Sequence, residues 1–262
     1  MTLNFSKYHG AGNDFILIDN RKDKITFNCS EVAFLCNRHL GIGADGLMLL
    51  NSSKQHDFEM QYFNSDGNES SMCGNGGRCI TAFASKLGII DKHTLFTAID
   101  GLHTAKIIED NGSIKTIRLQ LSDVKKIQAF DNYFLLNTGS PHYVQFVDDV
   151  KAIDVAAEGS KIRYDLRFAP EGLNVNFVEI KENYIFVRTY ERGVEAETLS
   201  CGTGVTASAL AYASDKNIEI VSIHTLGGKL TVSFEKHNAA FKNVFLEGEA
   251  SFVFEGKIEI AR

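Results

Sequence analysis

Two pseudo-symmetric α+β halves are the architecture this chain predicts, and three observations carry that expectation. Cys73-Gly74-Asn75-Gly76 ahead of Ile80, Ala82 and Ala84 is matched by Cys201-Gly202-Thr203-Gly204 ahead of Ala207, Ala209 and Ala211. In both, a Cys-Gly-polar-Gly turn opens a helix of small apolar residues. The two cysteines stand 128 positions apart in 262 residues, the interval expected of a duplicated unit. Short strand-like runs broken by a few helical stretches give the two halves a similar texture. Finally, 44% hydrophobic and 23% charged residues with only two prolines describe an ordinary globular chain, long enough for two domains with a core each.

In chain order, Leu3–Lys7 and Asp14–Asp19 have strand character and flank the loop His9-Gly10-Ala11-Gly12-Asn13. Ser30 is the expected N-cap of a helix running to about Leu40. Gly46–Leu50 and Phe58–Phe63 follow as strands, then the polar turn Asn64-Ser65-Asp66-Gly67-Asn68. A helix is expected over Cys79–Leu87, stopped by Gly88. Thr94–Asp100, Leu102–Glu109 and Ser113–Leu121 are strands, the last two joined by the hairpin signal Asp110-Asn111-Gly112. In the second half, Phe134–Leu136 and Tyr143–Val147 are strand-like around Asn137-Thr138-Gly139-Ser140-Pro141-His142. Val155–Ile162 is helical, and Leu173–Ile180 and Tyr184–Tyr190 are β-branched and aromatic strands. Helix Val205–Ala213 follows the second cysteine turn. Ile218–Leu226, Lys229–Glu235 and Ala250–Phe254 return to strand, with Gly227-Gly228 as a turn. The expected domains are residues 1–118, carrying Cys73, and 119–249, carrying Cys201, with a strand at about 250–262 packing back on the first.

A formal charge of −6, with lysine and arginine scattered, argues against a nucleic-acid-binding surface. No apolar run approaches the ~18–20 residues of a membrane helix. Five cysteines, an odd number, without a leader pattern at Met1, point to a reducing cytoplasmic setting. Cys29-x6-Cys36 and Cys73-x5-Cys79 do not match common zinc spacings, so no metal is expected, and Cys29, Cys36 and Cys79 are assigned to the core. Gly41-Ile42-Gly43-Ala44-Asp45-Gly46, with Asp66 further on, formally matches a dinucleotide fingerprint. A helix precedes it and a strand follows, the reverse of the order that motif needs.

The chemistry lies in the two cysteine turns. A glycine-rich helix start leaves backbone N–H groups aimed outward and carries about half a positive charge, so it favours an anion such as a carboxylate. A thiol in the same turn is expected to ionise below its free value of about 8.5. Two such turns facing each other could remove a proton from one face of a carbon and deliver one to the other, inverting it. Helix-terminal N–H groups on the α-carboxylate would stabilise the charge that develops. Nothing in the sequence advertises another electron sink, so no cofactor is expected.

Together these residues resemble the diaminopimelate epimerases, cofactor-independent amino-acid epimerases. The matching pieces are His9-Gly10-Ala11-Gly12-Asn13-Asp14-Phe15, Arg38–Gly46, Tyr62–Gly67, Met72–Cys79, Gly139-Ser140-Pro141-His142, and Tyr190-Glu191-Arg192-Gly193 with Glu197-Thr198 ahead of Cys201–Gly204. They fall in family order from about residue 7 to 213. The resemblance implies two domains about a pseudo-dyad, each a mixed β-sheet wrapped around a central helix, with the active site between them. It implies interconversion of LL- and meso-2,6-diaminopimelate, supplying lysine and peptidoglycan precursors, with Cys73 and Cys201 as the acid/base pair. Gly74, Asn75, Gly202 and Thr203 would hold the reacting carboxylate. Asn13, Asn64, Asn174 and Arg192 match substrate-gripping positions, the last three at the distal end, where a bidentate arginine suits a carboxylate. His142 and Glu191 match supporting residues that tune the thiols or hold an amino group. Ser140 departs from the asparagine common in the family and, being shorter, is a weaker contact candidate. The resemblance also implies a homodimer acting on a small molecule. Two other readings are a proline racemase or hydroxyproline epimerase, which shares the facing thiols without needing the distal clamp, and a non-catalytic amino-acid-binding protein.

Overall fold

The computed structural model describes residues 1–260. Two compact units divide the chain, Met1–Leu119 with Gly248–Arg262, and Gln120–Glu247. Of the segment 250–262 assigned to the returning strand, the last two residues lie outside the described residues.

In the first unit eight strands pair in a closed circuit. Thr2–Gly10 pairs antiparallel with Asn13–Asp19, which runs parallel to Gly46–Asn51. Gly46–Asn51 pairs antiparallel with Phe58–Asn64, itself parallel to His93–Ala98. The meander His93–Ala98, Gly101–Asn111, Ile114–Gln120 follows. The last strand, Ala240–Glu259, closes the circuit. Its residues Glu249–Ser251 pair with Ile114–Thr116, and Ser251–Glu259 pair with Thr2–His9. Closure pairs each of these eight strands on both sides.

The second unit repeats the same sequence of pairings. Phe134–Asn137 is antiparallel to Pro141–Phe146, which is parallel to Asn174–Ile180. Asn174–Ile180 is antiparallel to Ile185–Glu191, which is parallel to Ile220–Thr225, itself antiparallel to Gly228–His237. Each unit also sets a short strand beside its fourth long one, Glu69–Ser70 in the first and Ala196–Thr198 in the second, immediately before the cysteine turn. This is a two-repeat fold, mostly strand, with few helices.

The helices are α1 (Cys29–Cys36), α2 (Gly74–Lys86), α3 (Val155–Arg163) and α4 (Gly202–Ala213). α1 covers the sheet face bearing Ile16, Ile18, Leu47 and Leu49, while Tyr8 and Met48 face α2. Apolar cover on both faces makes Asp14–Asp19 and Gly46–Leu50 continuous apolar runs rather than alternating ones. α2 is buried throughout Gly74–Ala84, and α4 throughout its length except Thr203 and Tyr212. Small side chains let strands approach these helices closely. Their hydroxyls are satisfied inside the helix: Thr81 donates to the Gly77 carbonyl, Thr206 to Gly202 and Ser208 to Gly204, each at 2.8 Å.

Several elements differ from expectation. α1 is capped by Asn28, not Ser30, because Asn28 and Glu31 form a reciprocal capping box, and it ends at Cys36. α2 and α4 begin at Gly74 and Gly202, so the glycine turns are themselves the first helical turns. The last strand is twenty residues long, far beyond Ala250–Phe254. Cys29 is exposed at the first position of α1 rather than in the core, whereas Cys36 and Cys79 are buried.

Candidate active site

Cys73 is the N-cap of α2 in extended conformation, and its sulfur accepts from the Gly76 N–H at 3.2 Å. A Cβ on Gly76 would lie 2.3 Å from Met48 Cε, the end of a flexible side chain, and 3.1 Å from the Cys73 sulfur. Cys201 caps α4 at the equivalent place, but its sulfur lies 3.5 Å from Thr203 Oγ1. A Cβ on Gly204 would lie 2.4 Å from Asn176 Oδ1. Both turns thus present a sulfur at the start of a buried helix.

Around the first turn, Asn75 Nδ2 donates to Asn13 Oδ1 at 3.3 Å, and Asn75 Oδ1 accepts from Arg78 Nη2 at 2.8 Å. Asn13 Nδ2 donates to Asp45 Oδ2 at 2.7 Å. Asp45 shares Arg38 with Asp14, which also pairs with the buried Lys7 at 2.8 Å. Burial pushes the Asp14 carboxyl up, but hydrogen bonds from Arg38 and Lys7 outweigh it and hold the group far below the usual carboxylate range. The segment Arg38–Gly46 is therefore a charged brace for Asn13. Asn64 lies exposed at the end of its strand, its backbone closing the turn to Gly67 and Asn68.

Around the second turn the polar side chains converge on Ser140. Its Oγ lies 3.0 Å from His142 Nε2, 3.3 Å from Thr203 Oγ1, and accepts from Asn174 Nδ2 at 3.0 Å. His142 Nδ1 lies 3.2 Å from Asn176 Nδ2, a donor, so the ring proton sits on Nε2 and points to Ser140. Burial, with Arg192 adding to it, pushes the His142 pKa down to about 3, so the ring is neutral. Asn174 Oδ1 accepts from the Arg192 backbone N–H at 2.8 Å, and the guanidinium donates to the Glu171 carbonyl at 3.2 Å. Glu191 Oε2 accepts from Thr198 Oγ1 at 2.9 Å. In the second unit Ser140, His142, Asn174, Thr203 and Cys201 are thus brought into one hydrogen-bonded set, with Arg192 tied to it through Asn174. Asn176, Arg78 and Asp45 were given no role from sequence. Asn176 carried the same signal as Asn174, an amide inside an apolar strand that must find partners once buried.

The family model described as diaminopimelate epimerase matches residues 5–124 and again 134–253, once per repeat. The chain belongs to the diaminopimelate epimerase family. A relative named diaminopimelate epimerase from Flavobacterium psychrophilum is 53% identical over 96% of this chain and 98% of its own. One of the same name from Chlorobaculum tepidum is 41% identical over 96% and 99%. Among solved structures, a Bacillus anthracis phenazine biosynthesis protein of the PhzF family superposes with a TM-score of 0.80 at 16% identity, over 99% of this chain and all of the other. A hydroxyproline epimerase from Agrobacterium vitis gives 0.73 at 14%, over 98% and 92%. At those identities the likeness is one of fold alone, and the diaminopimelate epimerase family is set by the close sequence relatives.

Proposed function

We propose that the protein epimerises one stereocentre of 2,6-diaminopimelate, interconverting the LL and meso forms, with Cys73 and Cys201 as the acid/base pair. The observation that carries this reading is the repetition of one device. In each repeat a cysteine caps a buried helix whose first turn is Gly-x-Gly. In the forward sense one thiolate takes the α-proton, becoming a thiol, while the C–H electron pair passes into the α-carboxylate. The opposite thiol then protonates the other face of the carbon and is left as the thiolate. The chemistry requires the two sulfurs to address opposite faces of that carbon. Backbone N–H groups at Gly74, Asn75, Gly202 and Thr203 suit the carboxylate on which charge develops, each well-placed donor contributing about 3 kcal/mol.

In the same reading Asn64, Asn174 and Arg192 hold the distal carboxylate and amine, and Asn13 positions the reacting end beside Asn75. His142 and Glu191 support the amino groups, and Ser140 acts as the junction through which His142 and Asn174 orient Thr203. Residues 1–118 with 250–262 carry Cys73, and residues 119–249 carry Cys201. Each repeat is taken as a sheet wrapped around its cysteine-capped helix, a layout supported by the burial of α2 and α4. The enzyme is taken as a cytoplasmic homodimer acting on a small molecule, without nucleic-acid or membrane partners.

Incubation of LL-diaminopimelate with the enzyme in heavy water is expected to place one deuterium at the inverted α-carbon, read by mass spectrometry. Cys73→Ala and Cys201→Ala are each expected to abolish inversion. Exchange with proline or hydroxyproline but not diaminopimelate would overturn the substrate, and inversion retained by either variant would overturn the two-thiol chemistry.

A further inference from the structure

The two repeats place different side chains over the same carbonyl. Counting from the capping cysteine, Arg78 in α2 and Thr206 in α4 occupy the same position. Arg78 Nη1 donates to the Gly74 carbonyl at 3.0 Å, and Thr206 Oγ1 donates to the Gly202 carbonyl at 2.8 Å. Thr206 brings no charge. Arg78 brings a guanidinium with no exposed surface at all. Its Nη2 binds Asn75 Oδ1, while its Nε has no hydrogen-bond partner. Among the described residues no carboxylate contacts it.

A buried cation without an anion is costly, and arginine does not shed its proton to escape that cost. Burial pulls the Arg78 guanidinium below its ordinary value, and the groups opposing that are the thiols of Cys79 and Cys73. Cys79 is fully buried and its thiol is pushed far up, so it stays protonated. Of the charged and titratable groups on the strands packed against α2, His9 has a buried Nδ1 without a hydrogen-bond partner, and the others nearest the helix are engaged or uncharged. Lys7 and Asp14 pair with each other, and burial keeps Tyr8 neutral. His9 sits on the same strand as Lys7, Gly46–Asn51 brings no charge, and Gly101–Asn111 turns Ala105 and Ile107 inward. Gly10 leaves room for the guanidinium, since a Cβ there would lie 3.2 Å from Nη2. In the second repeat the ring of His142 is neutral and Arg192 is turned to the Glu171 and Gly172 carbonyls.

We propose that Arg78 is a positioning residue that acts as the buried counter-charge of the Cys73 turn, so that the resting enzyme carries the thiolate on Cys73 and the thiol on Cys201. This rests on the reading of the two cysteines as the acid/base pair and deepens it, giving the pseudo-symmetric pair a fixed polarity before substrate binds. Arg78 also locks the turn, joining the Gly74 carbonyl to the Asn75 side chain and through it to Asn13.

The test is alkylation of the substrate-free enzyme by iodoacetamide across pH, followed peptide by peptide with mass spectrometry. The pH midpoint of each site is compared rather than its rate, because Cys201 is the more buried thiol. The midpoint of Cys73 is expected to lie below that of Cys201. Arg78→Met is expected to raise the Cys73 midpoint by about one pH unit or more and leave Cys201 unmoved, with Arg78→Lys restoring most of the difference. A Cys201 midpoint at or below that of Cys73, or a folded Arg78→Met enzyme with an unchanged Cys73 midpoint, overturns the proposal. Should Arg78→Met fail to fold, the wild-type midpoints and Arg78→Lys still decide. Failure of the two-thiol reading itself shows elsewhere, as inversion surviving in Cys73→Ala.

Discussion

Asn176 Nδ2 stands 3.2 Å from His142 Nδ1, with both side chains buried, and this pair sets which face of the ring carries a proton. The same amide donates to the Tyr143 carbonyl at 2.9 Å, and its oxygen accepts from Thr189 Oγ1 at 2.9 Å, so it cannot turn over without losing three bonds. His142 is therefore a fixed neutral donor to Ser140, not a proton shuttle.

That state has a signature in acid. The folded protein holds His142 neutral down to about pH 3, whereas an unfolded histidine takes up a proton near 6.5. Between these values the unfolded chain binds the extra proton, so stability falls as pH drops through that window, by up to about 1.4 kcal/mol per pH unit from this one group. Urea midpoints from pH 4 to 7 should show a shallower slope for His142→Gln than for the wild type. Equal slopes would mean that the ring charges in the folded state.

The two tight glycines should respond differently to alanine. At Gly76 the new methyl meets the end of Met48, a flexible chain that can swing, and the helix gains about 1 kcal/mol of propensity. Gly76→Ala should change stability by less than about 1 kcal/mol yet lower kcat, because the second contact is the Cys73 sulfur. At Gly204 the obstacle is Asn176 Oδ1, pinned on all sides, so Gly204→Ala should destabilise by about 1–3 kcal/mol. Denaturation midpoints and steady-state kinetics on both variants check the ranking.

What could be read from the sequence divides along a physical line. The Cys-Gly-x-Gly turns and their repetition were legible because they are local, and both cysteines do cap helices. The extent of those helices was not. Gly74–Gly77 has poor helix propensity, yet it forms the first turn of α2, where a Cβ on Gly76 or Gly77 would press on Met48, Cys73, Leu119 and Met72. The capping box of α1 was present in Asn28 and Glu31 and was passed over for Ser30. The length of the last strand was hidden because its partners, Ile114–Thr116 and Thr2–His9, lie more than a hundred residues away. Ser140, shorter than the asparagine common in the family, was only a weaker contact candidate. Its small hydroxyl is what the side chains of His142, Asn174 and Thr203 reach in the hydrogen-bonded set.

Thiol labelling separates the five cysteines by environment. Burial pushes the Cys36 thiol up to about 12 and Cys79 further still, while Cys29 is exposed. In the native enzyme at pH 8, Cys29 should react with iodoacetamide while Cys36 and Cys79 remain intact until urea unfolds the chain. Native labelling of Cys79 at the rate of Cys29 would show that α2 opens readily.

Asp14 should be the most sensitive surface-proximal carboxylate in the first repeat. It pairs with Lys7, whose side chain is only 7% exposed, and takes a bidentate bond from Arg38 at 2.7 and 3.0 Å. Asp14→Asn leaves the Lys7 ammonium buried with only the Gly43 carbonyl and a neutral amide, which should cost about 3 kcal/mol. Asp19→Asn, which breaks a pair with the more exposed Arg21, should cost less than about 1 kcal/mol. Because the folded carboxyl is held below its unfolded value, the Asp14 contribution is complete above about pH 4 and is lost as pH falls further. The gap between wild type and Asp14→Asn in thermal melts should therefore be largest near neutrality and narrow in acid. A gap that stays constant to pH 3 would assign the loss to packing rather than charge.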